Sequence, residues 1–201
     1  DIESQDNLTF IGQDSYKGGL MAGKLLDLLL CRKANVAVIK SANVDNHHAI
    51  DARVRGFEDY WRQQRNSIRK LKEIYLDEFS QIETNRVLNK EFQFEDPIQG
   101  IFVPSSLSHM VAKYLEDNNL QHIHLVGFDA LGENLNHLKS GTIDFLIDQD
   151  PFEQGYMGVK LMFEYLLFKK PLRKLYPSAI NIVTQENADF FRNLKVAEVV
   201  S

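Results

Sequence analysis

Asp129 is the first polar side chain after an apolar, largely aliphatic run, and it leads the chemistry this sequence could perform. Residues 122–129, His-Ile-His-Leu-Val-Gly-Phe-Asp, read as a buried strand that stops at a loop. The first polar side chain past the carboxyl end of such a strand projects into the crevice where open α/β sheets bind ligands. A carboxylate there accepts two hydroxyl hydrogen bonds at once and so matches the vicinal diols of a sugar. The competing use of Asp129 is local, as a loop or cap aspartate holding the backbone of residues 130–132.

Four further residues have suitable chemistry. Arg53 lies on an amphipathic helix one turn before Gly56, and its planar fork can lean over a strand end toward a hydroxyl, carboxylate or phosphate. Its bland alternative is a surface pair with Asp51 or Glu58. Gln149 carries donor and acceptor on one amide, which suits sugar hydroxyls, or else serves only as a backbone-holding hinge residue. Ser105 follows a strand and Pro104, so its hydroxyl either reaches a cleft or caps the helix at Leu107. Asp14 is first a helix cap and second a ligand contact.

Other polar clusters give weaker signals. His47-His48 with Asp45 invites a metal, but adjacent loop histidines lack helical ligand spacing and no cysteine lies near, so no metal and no cofactor are expected. His122 and His124 share a strand face and read as partly buried structural histidines. Phe128, Phe102 and Trp61 could stack on a sugar ring, with core packing the default for aromatics so placed.

Positioning these groups requires alternating strands and helices. Strands are expected at residues 8–12, 36–40, 72–76, 98–103, 122–128, 143–147 and 179–183, and helices at 20–30 behind an Asp14-Ser15 cap, 49–64, 79–92, from 107, 134–139 and 152–168. Helix 49–64 buries Ile50, Val54, Phe57 and Trp61, Gly141 supplies a left-handed stop, and 169–177 is a proline-bounded loop. Such alternation is the signature of βαβ units and a doubly wound parallel sheet, so the class is α/β.

With 201 residues, 44% of them hydrophobic, the chain can build a core. Net charge is −5 without a basic cluster, which removes an electrostatic footprint for nucleic acid. A single cysteine, Cys31, forms no internal disulfide and fits a reducing compartment. The longest apolar run is too short to span a bilayer. Because the sequence begins at Asp1, an N-terminal portion is expected to be absent.

Three signatures occur in the order found in the lactose-repressor and ribose-binding-protein group, the type I periplasmic-binding-protein fold. They are Arg53-Val-Arg-Gly56-Phe57 on a helix, Val126-Gly127-Phe128-Asp129 after a strand, and Leu138-Lys-Ser-Gly141-Thr-Ile143 leading to Gln149-Asp150-Pro151. Phe10-Ile-Gly-Gln-Asp14 with Gly18-Gly19 is similar to the first crossover of that fold. The resemblance implies two lobes joined by three crossing strands with a solute between them, and an arginine at the place of Arg53 that contacts ligand. It divides this chain into residues 1–14 as first crossover strand, 15–148 as C-terminal lobe, and 149–201 as hinge crossings plus a helix returned to the N-terminal lobe, whose remainder is missing.

It also implies the effector-binding domain of a cytoplasmic LacI-type transcriptional regulator. A carbohydrate would close the lobes of a homodimer and so control operator DNA through a headpiece outside this chain, with no membrane partner. The other version is an extracytoplasmic sugar receptor of a transporter or sensor kinase. An α/β enzyme is the opposing class, but no Gly-x-Gly-x-x-Gly after a strand, no Gly-x-x-x-x-Gly-Lys-Ser/Thr and no Gly-x-Ser-x-Gly is present, so no catalytic residue is assigned.

Overall fold

A strand buried on both faces divides its side chains between two cores, and that division organises most of this protein. The computed structural model describes residues 7–31, 33–41, 48–64, 68–76, 80–92 and 97–193. The chain runs β1 (Phe10–Gly12), α1 (Ser15–Leu29), β2 (Ala34–Ser41), α2 (His48–Gln63), β3 (Ile68–Leu76), α3 (Gln81–Glu91), β4 (Gly100–Phe102) and α4 (Ser108–Asp117). It continues through β5 (His124–Phe128), α5 (Gly132–Ser140), β6 (Phe145–Asp148), α6 (Pro151–Phe168), β7 (Leu175–Pro177), β8 (Asn181–Val183) and α7 (Ala188–Asn193).

Six strands form one sheet in the order β3-β2-β4-β5-β6-β8, parallel except for the antiparallel pair β6–β8. Val36, Val38, Phe102, Val126 and Phe128 face α1 and α2, where Leu26, Val54, Phe57 and Trp61 complete one core. Ala37, Ile39, Ile101 and Leu125 point the other way, toward Leu88 of α3, Val111 and Leu115 of α4 and Leu138 of α5. The period of two within each strand decides which core a residue joins.

Two glycines let α1 and α2 meet backbone to backbone. A Cβ on Gly19 would lie 1.9 Å from the carbonyl oxygen of Arg53, and one on Gly56 would lie 2.0 Å from that of Tyr16. The glycines therefore set the depth at which Arg53 is carried toward the sheet.

Three crossings lead out of this lobe to a smaller unit, in which β1 pairs in parallel with β7 and α6 packs on β1. Here the chain is differently buried. Of the 18 residues of α6 only Leu161 is buried, while Phe152, Tyr156, Val159, Phe163, Leu167 and Phe168 are exposed.

The α/β class and the parallel sheet agree with the sequence, and Gly141 ends α5 at φ 85° as expected. Several expectations need correction. Strand β3 begins at Ile68 and not at residue 72, because it is an edge strand with a full-length partner in β2 and its charged residues obscure the apolar pattern. Residues 175–177 lie in β7 and not in a loop; a three-residue strand whose partner is β1, far away in sequence, leaves no local signal. Residues 181–183 and 188–193, grouped from the sequence with the hinge and the returned helix, lie in the larger lobe, where β8 pairs with β6 and α7 packs on α5. His122 precedes β5 and is exposed, so only His124 is a half-buried strand histidine, paired with Asp144 at 3.1 Å.

Candidate ligand-binding site

At the exit of β5 the backbone turns sharply. Asp129 has φ 66°, a left-handed conformation that aspartate tolerates better than most residues. Neighbouring groups hold the turn: Asp129 N donates to Ile147 O at 2.9 Å, and the Asn134 amide donates to Asp129 O at 2.8 Å and to Phe128 O at 3.2 Å. Ala130 N donates to Oδ1 of Asp148 at 3.0 Å. The local task allotted to Asp129 in the alternative reading is thus carried by Asn134 and Asp148. The Asp129 carboxylate instead accepts Nε2 of Gln149 through Oδ1 at 2.6 Å.

Arg53 does not make the surface pair with Asp51 or Glu58; Glu58 pairs with Arg62 at 3.0 Å. The Arg53 side chain turns inward from α2 and is 5% exposed. Its guanidinium lies 4.0 Å above the Phe128 ring centroid and donates from Nη1 to Pro104 O at 2.7 Å. Burial pushes this guanidinium below its ordinary range, and the negative charge of Asp129 works against that shift. Among the described residues its Nε has no acceptor. A buried cation with an unused donor is costly unless another group supplies an oxygen.

Ser105 does not cap the following helix. Helix α4 starts at Ser108 with Leu107 at its N-cap and no side-chain cap bond, while the Ser105 Oγ is buried without a partner among the described residues. Asp14 caps α1, accepting Lys17 N at 3.0 Å, and pairs with Lys17 at 3.5 Å. Its carboxylate is engaged by its own helix.

The structure therefore brings together Arg53, Asp129 and Gln149, with Ser105 beside Pro104. The links are Arg53 to Pro104, Arg53 over Phe128 next to Asp129, and Asp129 to Gln149. The arrangement offers a carboxylate acceptor, a guanidinium donor and an amide with both functions, while the Ser105 hydroxyl is buried next to Pro104 in the chain. That set can bind a neutral polyol, whose hydroxyls both give and accept hydrogen bonds. Phe102 and Trp61 do not join it, being buried in the core, where Phe102 stacks on Phe57 at 4.5 Å.

Sequence reasoning missed Asn134, Asp148 and Gln13, three buried polar side chains that hold the loops around the site. Their signal was a polar residue at or just beyond a strand end or at a helix start, a signal that ordinary turn residues share. Of the metal candidates, Asp45 and His47 lie outside the described residues and His48 is exposed at the start of α2; among the described residues no group of three suited ligands occurs.

The family model described as a periplasmic binding protein domain matches residues 1–170. No curated protein matches the chain. Among solved structures, a Bacteroides fragilis protein assigned to the LacI transcriptional regulators superposes with a TM-score of 0.87 at 27% identity, covering 94% of this chain and 66% of its own. GanP, a glucose-galactose binding protein from Geobacillus stearothermophilus, gives 0.79 at 26% identity, with 93% and 66% covered. A periplasmic ribose ABC transporter protein from Conexibacter woesei shares the fold at 0.82 and 16% identity, with 96% and 64% covered. The chain thus spans slightly less than two thirds of the length of these structures. On the match over residues 1–170, this chain belongs to the periplasmic binding protein domain family.

Proposed function

We propose that this chain is the sugar-sensing part of a cytoplasmic LacI-type transcriptional regulator, acting as a homodimer whose DNA-binding headpiece lies outside this chain. The observation that carries the sensing role is the cluster in which Arg53, reaching in from α2, meets Asp129 and Gln149 at the ends of β5 and β6, with Arg53 Nε left without an acceptor among the described residues. The likeness to the Bacteroides fragilis protein supports the regulatory role. In this reading a carbohydrate draws two lobes together and the closure biases a dimer, with no chemical turnover. The second lobe packs on the exposed apolar face of α6, a reading supported by that exposure and by the greater length of the related structures.

A second reading has a specific observation behind it: GanP, at nearly the same identity, is a glucose-galactose binding protein. On that reading the same site serves an exported receptor. The discriminating experiment pairs a mobility-shift assay of the full-length protein on its own upstream DNA, with and without a panel of D-glucose, D-galactose, D-ribose and L-arabinose, with calorimetric titration of the same protein by the same sugars. Sugar-dependent DNA binding supports the regulator. Sugar binding without any DNA binding supports the receptor, and binding of neither sugar nor DNA rejects both.

A further inference from the structure

One side-chain amide ties all three crossings between the six-stranded lobe and the smaller unit. Gln13 lies in the first crossing, between β1 and α1, and is 7% exposed. Its Nε2 donates to Asp148 O, at the end of β6 where the second crossing begins, at 2.7 Å and to Ala179 O in the third crossing at 2.5 Å. An amide nitrogen has two hydrogens, so both acquire acceptors, each from a different crossing. Ser178 N closes the set by donating to Gly12 O at 2.9 Å.

The tie continues toward the ligand site. The Asp148 carboxylate, also nearly buried, accepts Ala130 N at 3.0 Å through Oδ1 and Asp150 N at 2.8 Å through Oδ2. Ala130 follows Asp129, and Gln149 follows Asp148; the two intervening side chains, Asp129 and Gln149, are the ones joined at 2.6 Å. Gln13 thus holds the main chain of Asp148, and the Asp148 side chain in turn holds the loop that carries Asp129.

Few side chains can do this. Glutamate would set lone pairs against two carbonyl oxygens, methionine of similar length would leave both carbonyls without donors, and lysine would bring a charge into a buried position that holds two neutral acceptors. We propose that Gln13 is a positioning residue: by fixing the three crossings against one another it sets the register in which Gln149 meets Asp129. The proposal rests on the reading of Asp129 and Gln149 as a ligand site, yet it concerns a coupling that exists without ligand, and so the two can fail separately.

The test is hydrogen exchange and side-chain amide NMR on the full chain, comparing the wild type with Gln13→Met. The expected result is that Ala130 N–H exchanges about tenfold faster or more, and the Gln149 side-chain amide resonances shift, while amides in the middle of β5 keep wild-type protection. A purely local structural role would lower the urea midpoint without singling out Ala130 and Gln149; wild-type exchange and shifts at those two residues would overturn the proposal. Should the variant fail to fold, the wild type decides. Both Gln13 amide hydrogens are expected to exchange at least about tenfold slower than those of a free glutamine, and free-like exchange of either refutes the tie.

Titration with D-galactose, D-glucose and D-ribose separates the two readings. A sugar that perturbs Asp129 and Gln149 in the wild type is expected to bind Gln13→Met more weakly, and equal affinity overturns the coupling. If none of these sugars perturbs the wild type, the sugar reading is contradicted and the exchange data alone decide on Gln13.

Discussion

The six-stranded lobe and the unit of α6, β1 and β7 contain similar apolar residues with opposite fates. In the lobe, Val38, Ile101, Phe102 and Leu125 are 0% exposed, because helices cover both faces of the sheet. On α6, Val159 is 75% exposed and Phe168 63%, because two short strands offer the helix a single narrow contact. Layer count and not composition separates them: a sheet with helices on both faces completes its own cores, and a helix on a two-stranded ribbon does not. The six-stranded lobe holds Arg53, Ser105 and Asp129, and the crossings toward the smaller unit hold Gln149.

The largest effect that can test this contrast lies where α1 meets α2. Gly19→Ala and Gly56→Ala are each expected to cost about 3 kcal/mol or more, since the added carbon meets a carbonyl oxygen of the facing helix and neither backbone can yield locally. Urea unfolding measures it. A loss below about 1 kcal/mol would mean that the helices part easily and that the lobe is less finished than its packing indicates.

Next comes Arg53→Ala. It leaves Pro104 O without its donor and uncovers the Phe128 ring, so a stability loss of about 2 kcal/mol is expected together with weaker ligand binding. Asp129→Asn is the contrasting variant. Asparagine tolerates the left-handed turn that Asn134 and Asp148 hold but removes the negative charge set near the buried Arg53, so a stability loss of at most about 1 kcal/mol is expected, smaller than that of Arg53→Ala. Thermal unfolding of both variants checks the difference, and equal losses would show that Asp129 also serves the fold.

Replacing Val159 with Lys on α6 sharpens the comparison from the other side. In the 201-residue chain the change is expected to be neutral within about 0.5 kcal/mol and to reduce self-association by light scattering. In a longer protein with a second lobe on that face, the same change is expected to cost at least about 2 kcal/mol by burying a charge. Neutrality in both would remove the second lobe from α6.

The smallest effect concerns acid. Burial works to raise Glu116, but hydrogen bonds from Thr142, His137 and Ser140, with the charge of His137, outweigh it and hold the carboxyl below its ordinary range. A depressed carboxyl contributes stability that is fully present above its unfolded value and is lost as pH falls through its lower folded value. Stability of the α4–α5 contact is therefore expected to fall below about pH 4.3, and Glu116→Gln to flatten that limb of the urea-midpoint curve. An unchanged acid limb in the variant would assign the loss to other carboxyls.

Much of the lobe was legible because buried parallel strands are apolar along their length and their helices carry regular stripes; β2, α2 and β5 fall close to their expected places. The turn residues were legible too, Asp14 as a cap and Gly141 as a left-handed stop. What escaped depends on distant partners. Strand β7 exists through its pairing with β1, the inward turn of Arg53 depends on Phe128 and Pro104, and Gln13 acquires its role only from carbonyls at 148 and 179. Local sequence records none of those partners. For the same reason Ser105 resembled a cap until the start of α4 at Ser108 placed its hydroxyl clear of the first turn.

The central claim, that Asp129 and Gln149 hold sugar hydroxyls at the ends of β5 and β6, is tested most directly by calorimetry on the full-length protein. Wild type, Asp129→Asn and Gln149→Leu would each be titrated with D-glucose, D-galactose, D-ribose and L-arabinose. The predicted result is binding of at least one sugar by the wild type and a loss of about tenfold or more in each variant, or roughly 1 to 3 kcal/mol. Binding that is equally tight in all three proteins, or no binding by the wild type, would contradict it.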